Sequence, residues 1–372
     1  MKSAVLRDSL ASHEPARVGA RIGHFVHRHF LWLLLACYGL SACWPAPGLA
    51  MREWKLTVVS GSGEPITLPL LLLALLLFCA AIRTDLSQIR SVLQHPGTLV
   101  AGLVAVWLGP ALLVVVAGPL VPWLADGAAT AGLLVGLVLV ATMPVANSSV
   151  GWAQNAGANL ALSLGLVVLS ISLSPWTTPQ LLGLLGLSLS PAERALSEEL
   201  VARFSGTFFI VWVILPTLVG FACRYLVGER RVARVAHWIV LASAAALLVL
   251  NYVNAALALP KVSDEKPVAI LAAALLAAAL SLVGIAIGWA LGWLLRMPAD
   301  MRSALLFGLS MKHTGLALIL AGAVLAHQPL AILMIVLATL EQHLAAAVVQ
   351  WWLGRGERDA APAQLENHRS AK

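Results

Sequence analysis

Apolar windows long enough to cross a bilayer recur ten times along this 372-residue chain, at residues 30–50, 66–83, 97–118, 128–156, 158–178, 204–223, 236–258, 268–294, 302–326 and 329–353. A helix rises ~1.5 Å per residue, so about 20 residues cross the ~30 Å hydrocarbon core. Only the second window is short. Backbone in hydrocarbon must satisfy its own hydrogen bonds, and a helix does so within a single span. The expected fold is an all-α polytopic membrane protein with ten transmembrane helices. Composition excludes the soluble alternative, because 60% of residues are hydrophobic, 11% are charged and the mean hydropathy is +0.89. That leaves too little polar surface to cover a soluble globule of this length.

The basic residues predict an orientation. A pI near 9.6 invites a nucleic-acid reading, but Lys and Arg fall in short clusters between apolar windows, as they do when they orient a chain in a bilayer. With both ends in the cytoplasm, 17 of the 24 Lys and Arg lie inside, 6 lie outside, and Lys312 lies within a span. The opposite topology inverts that bias. The expectation is an integral protein of the plasma (inner) membrane, with N and C termini cytoplasmic, the lipid bilayer as its surroundings and no nucleic-acid partner. Residues 1–29 form the N-terminal tail, which lacks the apolar core of a cleaved signal peptide. Residues 30–178 form a first five-helix repeat and 204–353 a second, with 354–372 a cytoplasmic C-terminal tail. Between the repeats, residues 179–203 read as an amphipathic connector whose helix opens at Ser190-Pro191 with Glu193 behind it. Cys37, Cys43, Cys79 and Cys223 lie in or beside apolar windows without CxxC spacing, so neither a disulfide nor a metal is expected. No Walker-type phosphate loop and no HExxH element occurs, so ATP-driven transport and zinc proteolysis have no support, and no cofactor is expected.

Two windows are interrupted by polar residues. The ninth carries Ser310-Met311-Lys312-His313-Thr314-Gly315 at its middle. A charged side chain near the bilayer midplane costs about 2.5–3.5 kcal/mol on insertion scales, so it normally faces protein or trapped water. In the fourth window, Pro144 removes a backbone donor and Asn147, Ser148 and Ser149 follow at once. Counting five spans on from the fourth reaches the ninth. Two inverted repeats whose fourth members are both broken predict one crossing point, between residues 143–149 and 311–314. Asn147, Ser148, Ser149, Met311, Lys312, His313 and Thr314 are its candidate substrate- or ion-binding residues. Asn147, Ser148, Ser149 and Thr314 equally suit repair of backbone freed by the breaks, and His313 and His343 taken singly suit hydrogen-bonded interior histidines. Glu341, in the tenth window, is the available carboxylate for Lys312, as a structural ion pair or as part of a proton relay with His313 and His343. Asn251 and Asn254 would either line a cavity or pack one helix on another.

The stretch PVANSSVGWAQNAGANLALSLGLVVLSISLSPWTTP at residues 144–179, with SMKHTGLALILA at 310–321, resembles the bile acid:sodium symporter family. The loop RTDLSQIRSVLQHP at 83–96 and the mid-span Pro110 extend the likeness over most of residues 66–353. The resemblance implies a core domain and a panel domain that move against each other, with two sodium ions near the crossing. Ser149 and Ser163 match the two serines of the first sodium site. Val150, Val167 and Gly308 stand where the family has asparagine, threonine and a shared glutamate. At the second site Ala105 and Lys312 each replace glutamine. Sodium needs several oxygen ligands, which valine, alanine and glycine side chains do not offer, whereas an ammonium brings its own charge.

The expected function is therefore a secondary transporter that moves a small organic anion by alternating access, not an enzyme. Proton coupling or no coupling ion is favoured, with Lys312 in place of a sodium ion. Sodium-coupled symport is the alternative within the family, and a membrane enzyme or sensor is the alternative from another class.

Overall fold

The computed structural model describes residues 29–59, 65–84, 96–123, 125, 127–204, 208 and 210–370. The N-terminal tail before residue 29 and the loop at 85–95 lie outside them. Among the described residues the fold is helical, with one short antiparallel strand pair, β1 (Lys55–Val59) and β2 (Pro65–Thr67). The helices are α1 (Phe30–Cys43), α2 (Ala46–Glu53), α3 (Leu68–Arg83), α4 (Pro96–Ala117), α5 (Gly127–Thr142), α6 (Ser148–Asn155), α7 (Leu160–Gly186), α8 (Pro191–Phe204), α9 (Leu215–Val227), α10 (Glu229–Val262), α11 (Pro267–Leu294), α12 (Ala299–Ser310), α13 (Thr314–Val324) and α14 (Pro329–Ser370). A π-helical turn at Ile210–Ile214 leads into α9.

Each of the ten windows holds a helix or a broken pair, but their lengths differ from the expectation. Among the described residues, six helices are long and apolar enough to cross a membrane: α4, α7, α10, α11, α14 and the segment ending in α9. The pair α1–α2, bent by 92°, makes a seventh if taken as one span. The other windows hold shorter pieces, because the polar interruptions divide the fourth and ninth windows, and α3 has only 16 residues. One further boundary differs. Pro175 and Pro179 do not end α7, which continues to Gly186, into the expected connector. The connector helix α8 does begin at Ser190, whose backbone N–H donates to Glu193 Oε2 at 2.8 Å, the reach-back half of a capping box.

The chain divides into two compact units, each drawn from both halves of the sequence. The first comprises Met1–Thr84, Ala202–Asp264 and Leu318–Pro329. Here small residues set helix contacts: a Cβ at Gly220 of α9 would lie 2.7 Å from both Ala81 Cβ and the Phe78 carbonyl on α3. Tyr38 of α1 donates to Asn251 Oδ1 of α10 at 2.7 Å, and Arg52 Nη1 donates to Asn254 Oδ1 at 3.2 Å. Both asparagines thus pack helices together. Arg52 Nη2 also donates to the carbonyl of Gly322, in the last turn of α13, where a cation suits the helix dipole.

The second unit comprises Asp85–Val201, Glu265–Ala317 and Leu330–Lys372. Gly284, Gly288 and Gly292 recur every fourth residue along α11 and bring it against α12; a Cβ at Gly288 would lie 3.0 Å from the Leu305 carbonyl. Residues 137–141 of α5 are all essentially inaccessible, and every residue of α12 from Ser303 to Ser310 is buried. Helices apolar on every face belong in an interior. The polar breaks at the ends of α5 and α12 therefore lie within packed protein.

Candidate functional site

Between α5 and α6 the chain runs unwound through residues 143–147, and between α12 and α13 through 311–313. Pro144 accounts for the first break, since it lacks an N–H and its ring obstructs the preceding helical turn. The two unwound segments cross. Val145 and Lys312 form an antiparallel bridge. Ala146 N–H donates to Met311 O at 3.0 Å, and His313 N–H donates to Pro144 O at 2.9 Å. The groups that the breaks release are thus paired with each other across the crossing. Hydroxyls of α7 complete the repair: Ser170 Oγ accepts from Val145 N–H at 3.1 Å, and Thr178 Oγ1 donates to Thr142 O at 3.0 Å. Trp107 Nε1 of α4 donates to that same Thr142 carbonyl at 3.2 Å.

Lys312 turns its side chain into the protein and is 2% exposed. Its ammonium donates to the carbonyls of Val106 and Met143, the latter at 3.2 Å. These acceptors have a common origin. Val106 is four residues before Pro110, so its carbonyl has no helical N–H to accept; Met143 lies in the break made by Pro144. Pro110 within α4 releases one carbonyl, the unwound segment at Pro144 exposes the other, and the lysine binds both.

The expected Lys312–Glu341 pair does not form. Glu341 is only half-buried, and among the described residues no carboxylate pairs with Lys312. The tenth-window residue that reaches the crossing is the next one, Gln342, whose Oε1 accepts from Lys312 N–H at 2.9 Å and whose Nε2 approaches Thr314 Oγ1 at 3.4 Å. Successive helix positions are turned by about 100°, so a window centred on Glu341 presents Gln342 instead. Nor do the histidines connect to Lys312. His313 caps α13, its Nδ1 accepting from Leu316 N–H at 3.2 Å, and His343 Nδ1 pairs with the Thr339 carbonyl at 2.7 Å while its ring meets Trp152 edge-on.

The remaining candidates lie on α6 and α7. Ser148 opens α6 and Ser149 follows it, fully buried; Ser163 lies near the start of α7, also fully buried. The oxygens Ser149 Oγ, Ser163 Oγ and Asn147 Oδ1 are buried without a hydrogen-bond partner. Gln342, Val106 and Pro110 had not been expected at the site. The signal for the last two was available in Pro110, which marks the carbonyl four residues before it.

The long apolar helices, with a break crossed inside packed protein, define a class: integral membrane proteins. The model of the sodium bile acid symporter family matches residues 70–265, more than half of the chain, and the chain belongs to that family. The family's members are membrane transporters rather than enzymes. The match includes the Pro144 arm of the crossing and ends before the Lys312 arm. No individual curated protein matches the chain.

Proposed function

We propose that this protein is a sodium-independent secondary transporter of a small organic anion, working by alternating access, with the Lys312 ammonium in place of a coupling sodium ion. One observation carries the reading: the ammonium is held by the carbonyls of Val106 and Met143. Backbone carbonyls are the ligands that sodium would need there, and a cation already bound to them excludes a second. The other substituted positions agree, because Val150, Val167, Gly308 and Ala105 offer no side-chain oxygen. A buried positive charge and the starts of α6 and α13 beside it favour an anionic solute. Ten spans in two inverted repeats, with the broken fourth and ninth members crossing and both termini cytoplasmic, belong to the same proposal.

The unpartnered Ser149 and Ser163 oxygens favour one second reading, retention of a single weak sodium site. Two hydroxyls and an amide, without a carboxylate, make a poor sodium site. Uptake of a bile-acid-like anion into proteoliposomes, with sodium and pH gradients imposed separately, tests both readings. The expected result is uptake indifferent to sodium. Uptake that requires an inward sodium gradient refutes the proposal. A response to the pH gradient that Lys312→Gln abolishes would show that Lys312 exchanges its proton during the cycle.

A further inference from the structure

The end of α11 carries a feature that makes none of the hydrogen bonds described at the crossing. Met297 N–H donates to Gly292 O at 2.9 Å and Arg296 N–H to Trp293 O at 3.1 Å, the paired bonds of a Schellman ending. The left-handed position in that motif usually belongs to glycine, which has no Cβ to clash. Here it is Arg296, at φ 49°, the one non-glycine residue with positive φ among the described residues. A strained position that keeps a long cationic side chain points to a use for that side chain.

A second arginine converges on the same place. Arg302, from the first turn of α12, lays its stem over Gly292, where a Cβ would come within 2.5 Å of Arg302 Cγ and 3.1 Å of Cδ. Gly292, Trp293, Leu294, Arg296, Met297 and Arg302 line a cleft of about 420 Å³. Its lining contains no carboxylate, and among the described residues none pairs with either guanidinium. Asp300, the nearest acid in sequence, instead accepts from Asn159 Nδ2 at 2.9 Å. Beside the charges, Trp293 and Leu294 are 67% and 69% exposed, and the exposed stripe continues along α11 through Trp289 and Leu282.

We propose that this cleft binds the headgroup of an anionic phospholipid. The two guanidiniums match phosphate oxygens, and the Trp289–Trp293–Leu294 face receives the acyl chains. Arginine and tryptophan at the end of an apolar helix belong at headgroup depth. A soluble phosphate would meet the charges but leave the apolar face unused, so the lipid is the occupant that satisfies both halves of the site.

Thermal unfolding and native mass spectrometry of the purified protein in a neutral detergent test this. Phosphatidylglycerol, phosphatidylcholine and glycerol 3-phosphate would be added in turn. Phosphatidylglycerol is expected to raise the melting temperature more than phosphatidylcholine and to remain bound as a resolved adduct. Arg296→Gly relieves the backbone strain, so this variant folds at least as well as the parent, yet its apparent affinity for phosphatidylglycerol should fall about tenfold for the lost bidentate contact. Arg302→Gln should show the same loss. Two results overturn the proposal: both variants retaining the full phosphatidylglycerol increment, or glycerol 3-phosphate reproducing that increment by itself.

Discussion

Replacing Lys312 by glutamine and by methionine, and comparing the two variants with each other, isolates what the ammonium does for the fold. Comparison with the parent mixes two effects, since removing the lysine deletes both its hydrogen bonds and the desolvation penalty of its charge. Both variants are neutral, so the charge effect cancels between them. What remains is whether the carbonyls of Val106 and Met143 keep a donor. The glutamine amide has two N–H groups to offer and methionine has none. Each buried acceptor left without a partner costs about 1–3 kcal/mol, so the glutamine variant should be more stable by about 2–6 kcal/mol. Reversible unfolding in mixed detergent micelles measures the difference. Equal stability of the two variants would refute the assignment of Lys312 to those carbonyls. Transport separates function from fold: Lys312→Gln should lose most uptake while remaining folded, and full uptake with unchanged pH dependence would remove Lys312 from the mechanism. Adding Gly308→Glu to Lys312→Gln should make uptake respond to sodium, because it restores a carboxylate whose Cβ meets only the flexible end of Leu166, at 2.9 Å.

Three further outcomes follow from the packing and the site. Gly288→Leu, on the face that meets the Leu305 carbonyl, should lower stability by about 1–3 kcal/mol, whereas Gly183→Leu, with nothing within 4 Å, should not; melting temperatures compare them. Glu341→Gln should stay within about 0.5 kcal/mol of the parent, but Gln342→Leu should cost about 1–3 kcal/mol by orphaning the Lys312 N–H, measured in the same unfolding assay. His313→Leu should cost about 0.5–2 kcal/mol through loss of the α13 cap, and His313→Asn should recover most of it, since asparagine is a strong capping residue; protection of the Leu316 amide in hydrogen exchange reads the cap directly.

Much of this was legible in the residues, and what was not has identifiable causes. Pro144 with the polar run after it, and the polar run around Lys312, are enough to place the two breaks and their crossing. The partner of Lys312 was hidden because it is backbone. A carbonyl has no letter in the sequence: Pro110 marks the one four residues before it, and Pro144 marks only the break in which the other lies. Glu341 drew attention because charge complementarity is easy to read, whereas the helix phase that selects Gln342 is set by how α14 packs. Window length misled in the other direction, since a break divides one apolar window into two helices too short to cross alone. The positive φ at Arg296 had no sequence signature, because the position it occupies is one where glycine would ordinarily be read as the stop signal.

A cation that is part of the chain has an electrical consequence. A coupling ion is left behind on the far side of the membrane; in the proposed mechanism the Lys312 ammonium, held by backbone carbonyls, would return with the protein. If it keeps its proton through the cycle, a monovalent anion crossing in uniport carries its own charge alone, against about 2.3 kcal/mol per 100 mV. Inside a cell held at about −100 mV, that anion would settle roughly fiftyfold below its outside concentration. A uniporter of this proposed kind would therefore favour export over accumulation, and reversing an imposed potassium diffusion potential across proteoliposomes should reverse the direction of net flux.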